Sequence, residues 1–190
     1  MGESQVIKVY LEQPNGIIDL YAMDDDGLTP LHYACQWDRN IKILDIFISY
    51  TKERQINWNI MSGDDQTPLN YAVGIYCNKI VKRLLETLDE TNIDVTMKDE
   101  LGMNVFCRAC WCGNLELVQL LLDFIRKNKD KHRIDVNEKD FVGKTAFYWA
   151  SKENVKLEKL LLDNAKTFNF DTNIPCGISL RKRAKKRKHE

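Results

Sequence analysis

The chain has 190 residues, 22.2 kDa and 44% hydrophobic residues, which is enough for a core and makes one or two folded domains the expectation. Its 28 Lys and Arg balance 28 Asp and Glu, but Arg181, Lys182, Arg183, Lys185, Lys186, Arg187 and Lys188 cluster near the end. The remainder is therefore acidic and poorly suited to gripping phosphate along its length. No apolar run approaches the ~20 residues needed to span a bilayer, Met1 to Tyr10 is too short and polar for a signal peptide, and the six cysteines show no secreted disulfide framework, which fits reduced thiols.

The first element is a short helix over 5–12 with Val6, Ile7, Val9, Tyr10 and Leu11, ended by the turn chemistry of Gln13-Pro14-Asn15-Gly16. Ile18-Asp19-Leu20 then leads into Asp24-Asp25-Asp26-Gly27, a tight turn in which Gly27 supplies φ > 0. Thr29 is a good N-cap, and Pro30 falls at the first helical position, where its missing N–H costs nothing. Leu31, Ala34 and Cys35 make one apolar face. A longer helix follows over Ile41 to Ile48, and Ile56-Asn57-Trp58 returns to the next turn.

This pattern recurs along the chain. Thr67-Pro68-Leu69-Asn70-Tyr71-Ala72-Val73, Asn104-Val105-Phe106-Cys107-Arg108-Ala109-Cys110 and Thr145-Ala146-Phe147-Tyr148-Trp149-Ala150-Ser151 repeat the cap, the large apolar residue and the alanine. Apolar runs over Ile80 to Leu85, Leu115 to Leu122 and Val155 to Leu162 supply the second helices. Ile93-Asp94-Val95 and Ile134-Asp135-Val136 are further returns, and Phe168-Asn169-Phe170 is a fifth. Units on a period of about 20–50 residues predict a stacked array, since one unit cannot bury its own apolar face. Gly74 lowers helix propensity by about 1 kcal/mol relative to Ala, so the second unit is expected to be the softest. The charged stretch Arg126 to Arg133 reads as a solvated helix end and loop. Lys152, Lys156, Glu158 and Lys159 mark a last unit whose outer face meets water.

The turn, Thr-Pro-Leu-His, the following alanine, the Leu-rich second helix and the Ile-Asp-Val return together resemble the ankyrin repeat. The third unit matches most fully, from Asp99 and Gly102 through Gly113-Asn114-Leu115-Glu116-Leu117-Val118 to Leu120-Leu121-Leu122. Departures are Asp65 at the turn glycine, Asn104-Val105 for Thr-Pro, and intervals longer than ~33 residues. The resemblance implies an all-α repeat solenoid of helix–turn–helix units with β-turn fingers. The expected organisation is an N-terminal half repeat over 1–23 and repeats over 24–61, 62–98, 99–139 and 140–174, followed by a disordered basic tail over 175–190.

No catalytic constellation is present: there is no G-x-S-x-G, phosphate-binding glycine loop or H-E-x-x-H. The chain reads as a non-enzyme, with no cofactor and no metal. Cys107-x-x-Cys110-x-Cys112 falls inside one predicted helix without a fourth ligand, which favours structural thiols over zinc. His32 is expected to bridge backbone turns. The resemblance implies a binding scaffold that uses turn tips and first helices on a concave face. Carried onto this sequence, the partner-binding positions are Asp25, Asp26, Gln36, Trp37, Asp64, Ile75, Glu100, Trp111, Phe141 and Lys152. Trp37 and Trp111 stand out, because indole is enriched among residues that dominate interfaces. Acidic tips over aromatic ground suit a protein partner with a Lys/Arg-rich segment.

The run from Arg181 to Lys188 reads as a nuclear-localisation patch, with a nucleic-acid contact and a polybasic membrane contact as rival readings. The expected function is thus a nuclear adaptor or inhibitor of a regulatory protein, in nucleus and cytoplasm. The alternatives are a nucleic-acid-associated protein acting through the tail and a substrate adaptor for a ubiquitin ligase.

Overall fold

The computed structural model describes residues 19–128 and 131–172. The expected N-terminal helix and the basic tail lie outside the described residues. The chain forms two compact units, Met1–Glu100 and Leu101–Glu190. Among the described residues every regular element is helical.

In the first unit, α1 (Pro30–Cys35) is followed by a 3-10 turn (Asp38–Asn40) and α2 (Ile41–Arg54). Then come α3 (Pro68–Gly74), α4 (Asn78–Glu86) and the short α5 (Leu88–Thr91). The first helices α1 and α3 pack side by side, and each packs on its own second helix. Leu31, Leu44, Leu69, Ile80 and Leu84 are fully buried between them. Trp58, from the return segment, is also buried and donates its indole N–H to Thr51 Oγ1 at 2.9 Å.

The second unit repeats the plan with α6 (Val105–Trp111), α7 (Leu115–Lys127), α8 (Ala146–Glu153), α9 (Val155–Asp163) and the short α10 (Ala165–Phe168). Helices α6 and α8 lie together, with Phe106, Leu117, Leu121, Leu122, Leu157 and Leu161 in the core. The short helices α5 and α10 were not expected from the sequence. Both end on an asparagine in the left-handed conformation, Asn92 at φ 59° and Asn169 at φ 54°, which Asn tolerates better than most residues.

Caps set the register. Thr67 accepts from the Asn70 N–H, Asn104 from the Phe106 and Cys107 N–H groups, and Thr145 from the Tyr148 N–H. Helix α4 has no side-chain cap of its own; Asp38 of the preceding repeat accepts from the Lys79 and Ile80 N–H groups at 3.0 and 3.3 Å. The returns are tied by one device in both units. Asn59 donates to Asn92 O at 2.9 Å and accepts from the Asp94 N–H at 2.8 Å; Asn137 does the same to Asn169 O and the Asp171 N–H, at 2.8 Å each. These bonds satisfy backbone groups that no strand ladder takes up.

Candidate interaction surface

The fingers at Asp24, Ser62 and Asp140 are turns each locked by that one side chain. In the first, Asp24 Oδ1 accepts from the Asp26 and Leu28 N–H groups at 3.0 and 2.8 Å, while Tyr33 O–H on α1 donates to Asp24 Oδ2 at 2.5 Å. The Tyr33 bond, followed by the Leu28 backbone bond, holds the Asp24 carboxyl below the usual carboxylate range. In the second finger Ser62 Oγ takes the anchor's place, accepting from the Asp64 and Gln66 N–H groups. Asp65 stands there at φ 51°, as its place at the turn glycine requires. The two fingers touch: Gly63 N–H donates to Gly27 O at 3.0 Å, and a Cβ on Gly27 would lie 2.6 Å from the Gly63 backbone.

Because the anchors take up the turn N–H groups, the tip side chains carry no folding duty. Asp25, Asp26 and Asp64 are all exposed. Behind them Trp37 is 51% exposed, with the Arg39 guanidinium 5.2 Å from its ring centre. Ile75 and Tyr76 are also exposed, Tyr76 at φ 65°. Gln36 is half-buried, and its carbonyl accepts from the Cys77 thiol at 3.0 Å. Glu100 is exposed at the end of this unit.

The second unit builds its finger on Asp140, whose Oδ1 accepts from the Val142 and Lys144 N–H groups at 3.0 and 2.7 Å. Its other oxygen accepts from the Trp149 indole N–H at 2.8 Å, the counterpart of the Tyr33 bond. The tip is apolar: Phe141 is 76% exposed and Val142 69%. The inner edge of the Phe141 ring lies over Gly102, where a Cβ would meet it at 2.7 Å. On the helices, Trp111 is 38% exposed beneath the Arg108 guanidinium at 4.9 Å. Lys152 is exposed, with its ammonium 5.1 Å from the Trp149 ring centre, and the Lys144 ammonium lies 4.4 Å from that of Tyr148.

The ten sequence-predicted positions therefore divide between the two units. All but the half-buried Gln36 are exposed. The aromatic ground is not bare: Trp37 and Trp111 each already face a cation of this chain. Sequence reasoning missed Tyr33, Lys144 and Trp149 as surface-forming residues. Tyr33 and Trp149 could have been found at four residues past the caps Thr29 and Thr145, on the face that points away from the second helix.

His32 bridges turns as expected. Its Nε2 lies 2.8 Å from Gln66 O, so it donates there, and Nδ1 accepts from the Thr29 N–H and hydroxyl. Burial, opposed by the Gln66 bond, lowers its pKa below 6.5. Cys107 and Cys110 are buried and Cys112 half-buried. Burial pushes the Cys35 and Cys110 thiols well up, which keeps them neutral and unreactive. No helix among the described residues is long and apolar enough to cross a membrane.

A family model described as "Ankyrin repeats (3 copies)" matches residues 1–99, 53–132 and 76–174. The chain is 35% identical over 103 residues to a Homo sapiens protein, transient receptor potential cation channel subfamily A member 1; the match takes in 54% of this chain and 8% of that protein. It is 27% identical over 136 residues to the probable 26S proteasome regulatory subunit p28 of Saccharomyces cerevisiae, across 71% of this chain and 55% of that protein. The matches thus span about half of the yeast relative and a small part of the human one.

Proposed function

The chain belongs to the ankyrin-repeat family, and from that premise we propose that it is an adaptor or inhibitor that captures a regulatory protein by a Lys/Arg-rich segment. Ankyrin repeats generally mediate protein–protein interaction and are typically non-enzymatic. The observation that carries the finer reading is the first unit's surface, with exposed Asp25, Asp26 and Asp64 at finger tips and exposed Trp37 and Ile75 just past the ends of α1 and α3. Acidic tips steer a basic segment, and the apolar side chains supply the desolvated anchors that dominate affinity. The yeast relative is named a regulatory subunit of a larger assembly, which is in keeping with a binding role.

The test is selection of short random peptides on the full chain, repeated with Asp25, Asp26 and Asp64 changed together to Lys. Enrichment of basic peptides that the triple variant loses supports the reading. Basic peptides that bind both proteins equally, or no basic enrichment, put the interface elsewhere. For the protein's place of work, the run Arg181 to Lys188 supports nuclear import. A large-tagged chain should accumulate in the nucleus and lose that accumulation when Lys185, Lys186 and Arg187 become Ala. Equal distribution of the two ends the nuclear reading. Steeply salt-dependent binding of DNA or RNA, abolished by the same change, would favour nucleic-acid association instead.

A further inference from the structure

The second unit's finger and first-helix face differ in kind from those of the first. Its tip carries Phe141 and Val142 where the first unit's tips carry carboxylates. Behind it, cations and aromatic rings occupy each other's faces: Lys144 on Tyr148, Lys152 on Trp149 and Arg108 on Trp111. Tyr148 and Trp149 meet edge to face with ring centres 5.2 Å apart, which fixes the rings that hold the two lysines. The one carboxylate in the finger, Asp140, is buried and committed to two backbone N–H groups and the Trp149 indole. Helix register adds a second regularity. Arg108 and Trp149 occupy equivalent positions in their repeats, as do Trp111 and Lys152, so cation and indole alternate along the row and across it.

We propose that this finger and helix face of the second unit form a docking surface for an acidic peptide segment, whose carboxylates meet Lys144 and Lys152 and whose apolar side chains lie against Phe141 and Trp111. This rests on the interaction-module reading and deepens it: the module takes a basic segment on its first unit and an acidic one on its second. A lysine whose ammonium is held over an aromatic ring has lost much of its rotamer freedom, so less entropy remains to be lost when that ammonium meets a carboxylate at the ring's edge. The exposed Phe141 and Trp111 supply the large, rigid anchors that carry affinity. Charge complementarity selects a short carboxylate-bearing segment over a nucleic acid, because outside residues 181–188 the chain is acidic and a phosphate chain would be repelled along its length.

The experiment is selection of short random peptides on the full chain, with the binding of recovered peptides measured by fluorescence anisotropy. The variants are Lys144→Glu with Lys152→Glu, Lys144→Met with Lys152→Met (which keeps an apolar side chain on each ring) and Asp25→Lys with Asp64→Lys. Circular dichroism melting confirms that each is folded. The expected result is a class of Asp/Glu-bearing peptides that weakens about tenfold or more in both lysine variants and is unchanged in the aspartate variant. Absence of an acidic class, or an acidic class insensitive to the lysine changes, overturns the proposal. So does a short oligothymidylate that displaces the acidic peptides at lower concentration than they displace one another. Recovery of basic peptides alone would sink this inference and leave the interaction-module reading standing. Recovery of no peptide of any charge would sink both.

Discussion

The first finger of one unit and the last finger of the other are built on the same lock and end in opposite chemistry. Asp24 and Asp140 each take two turn N–H groups on one oxygen and a ring donor from the first helix on the other, Tyr33 O–H in one case and Trp149 N–H in the next. The two tip residues that follow are Asp25 and Asp26 in the first and Phe141 and Val142 in the second. The two fingers thus separate two jobs that a turn sequence usually mixes. The anchor and the left-handed glycine fix the backbone, so the residues between them are free to set charge and shape for a partner. Where one finger touches the next within the first unit, as Gly27 does Gly63, that freedom ends, and the largest expected effect lies there.

Gly27 and Gly143 occupy the same turn position at φ 72° and 75°. A Cβ on Gly27 would fall 2.6 Å from the Gly63 backbone, whereas one on Gly143 meets nothing within 4 Å. Gly143→Ala should therefore cost only the left-handed penalty, about 1–2 kcal/mol. Gly27→Ala adds a clash between two backbones that cannot both stay in place, and a total of about 3 kcal/mol or more is expected. Urea unfolding of the two variants measures the difference. Equal losses would mean that the two fingers of the first unit do not approach as closely as described.

His32 makes the stability of the first unit depend on pH. His32 is neutral with Nδ1 as acceptor, and its folded pKa lies below 6.5 because it is buried. The unfolded chain then takes up the proton first, so the stability His32 contributes is complete above the unfolded value and is lost as pH falls below it. Denaturant midpoints between pH 7.5 and 5.5 should decline in the natural sequence, over a window above the main carboxylate titrations. His32→Asn, which places there the residue that the second repeat carries as Asn70, should flatten that decline while lowering stability at pH 7.5. A slope that survives the substitution would assign the pH dependence to other groups.

Tyr76 offers a smaller effect of the opposite sign. It stands at φ 65° where the third repeat has Gly113 at φ 71°. Tyr76→Gly should stabilise the first unit by up to about 1 kcal/mol, the relief of left-handed strain set against glycine's extra freedom when unfolded. A loss of stability would show that the exposed Tyr76 ring contributes more by packing than the backbone strain costs.

Most of the fold was legible in the sequence, because caps, turn glycines and the apolar faces of paired helices are local and recur. The first and second helices fall where Thr29, Thr67, Asn104 and Thr145 and the leucine-rich runs place them. What stayed hidden depends on partners distant in sequence. Asp38 caps a helix in the next repeat, and Asn59 and Asn137 bridge returns more than thirty residues apart. The short helices α5 and α10 end on left-handed asparagines that a period-based reading passes over. The surface was legible as a set of exposed positions with acidic tips, but its cation–ring pairs were not. The sequence places Trp37 and Trp111 without saying which cation lies on each, and Lys144 sits in a finger where the repeat pattern directs attention to the tip.

The smallest expected effect on folding is the one that bears most on binding. Asp26 and Val142 hold the same tip position, and both backbone N–H groups donate to the anchor carboxylate behind them at 3.0 Å. Both side chains are exposed. Neither therefore contributes to the lock, and exchanging their chemistry, Asp26→Val in one chain and Val142→Asp in another, should change stability by no more than about 0.5 kcal/mol. Recognition should move instead. Asp26→Val removes a negative charge from the first unit's tips and should weaken basic peptides, mostly through a slower, less salt-sensitive association. Val142→Asp sets a carboxylate in the same finger as Lys144 and should weaken acidic ones. Melting curves that coincide with the natural chain, together with these two opposite losses, would establish that the tips carry partner choice and the anchors carry the fold. A shift of several degrees in either melting curve would show that the tip side chains take part in the lock after all.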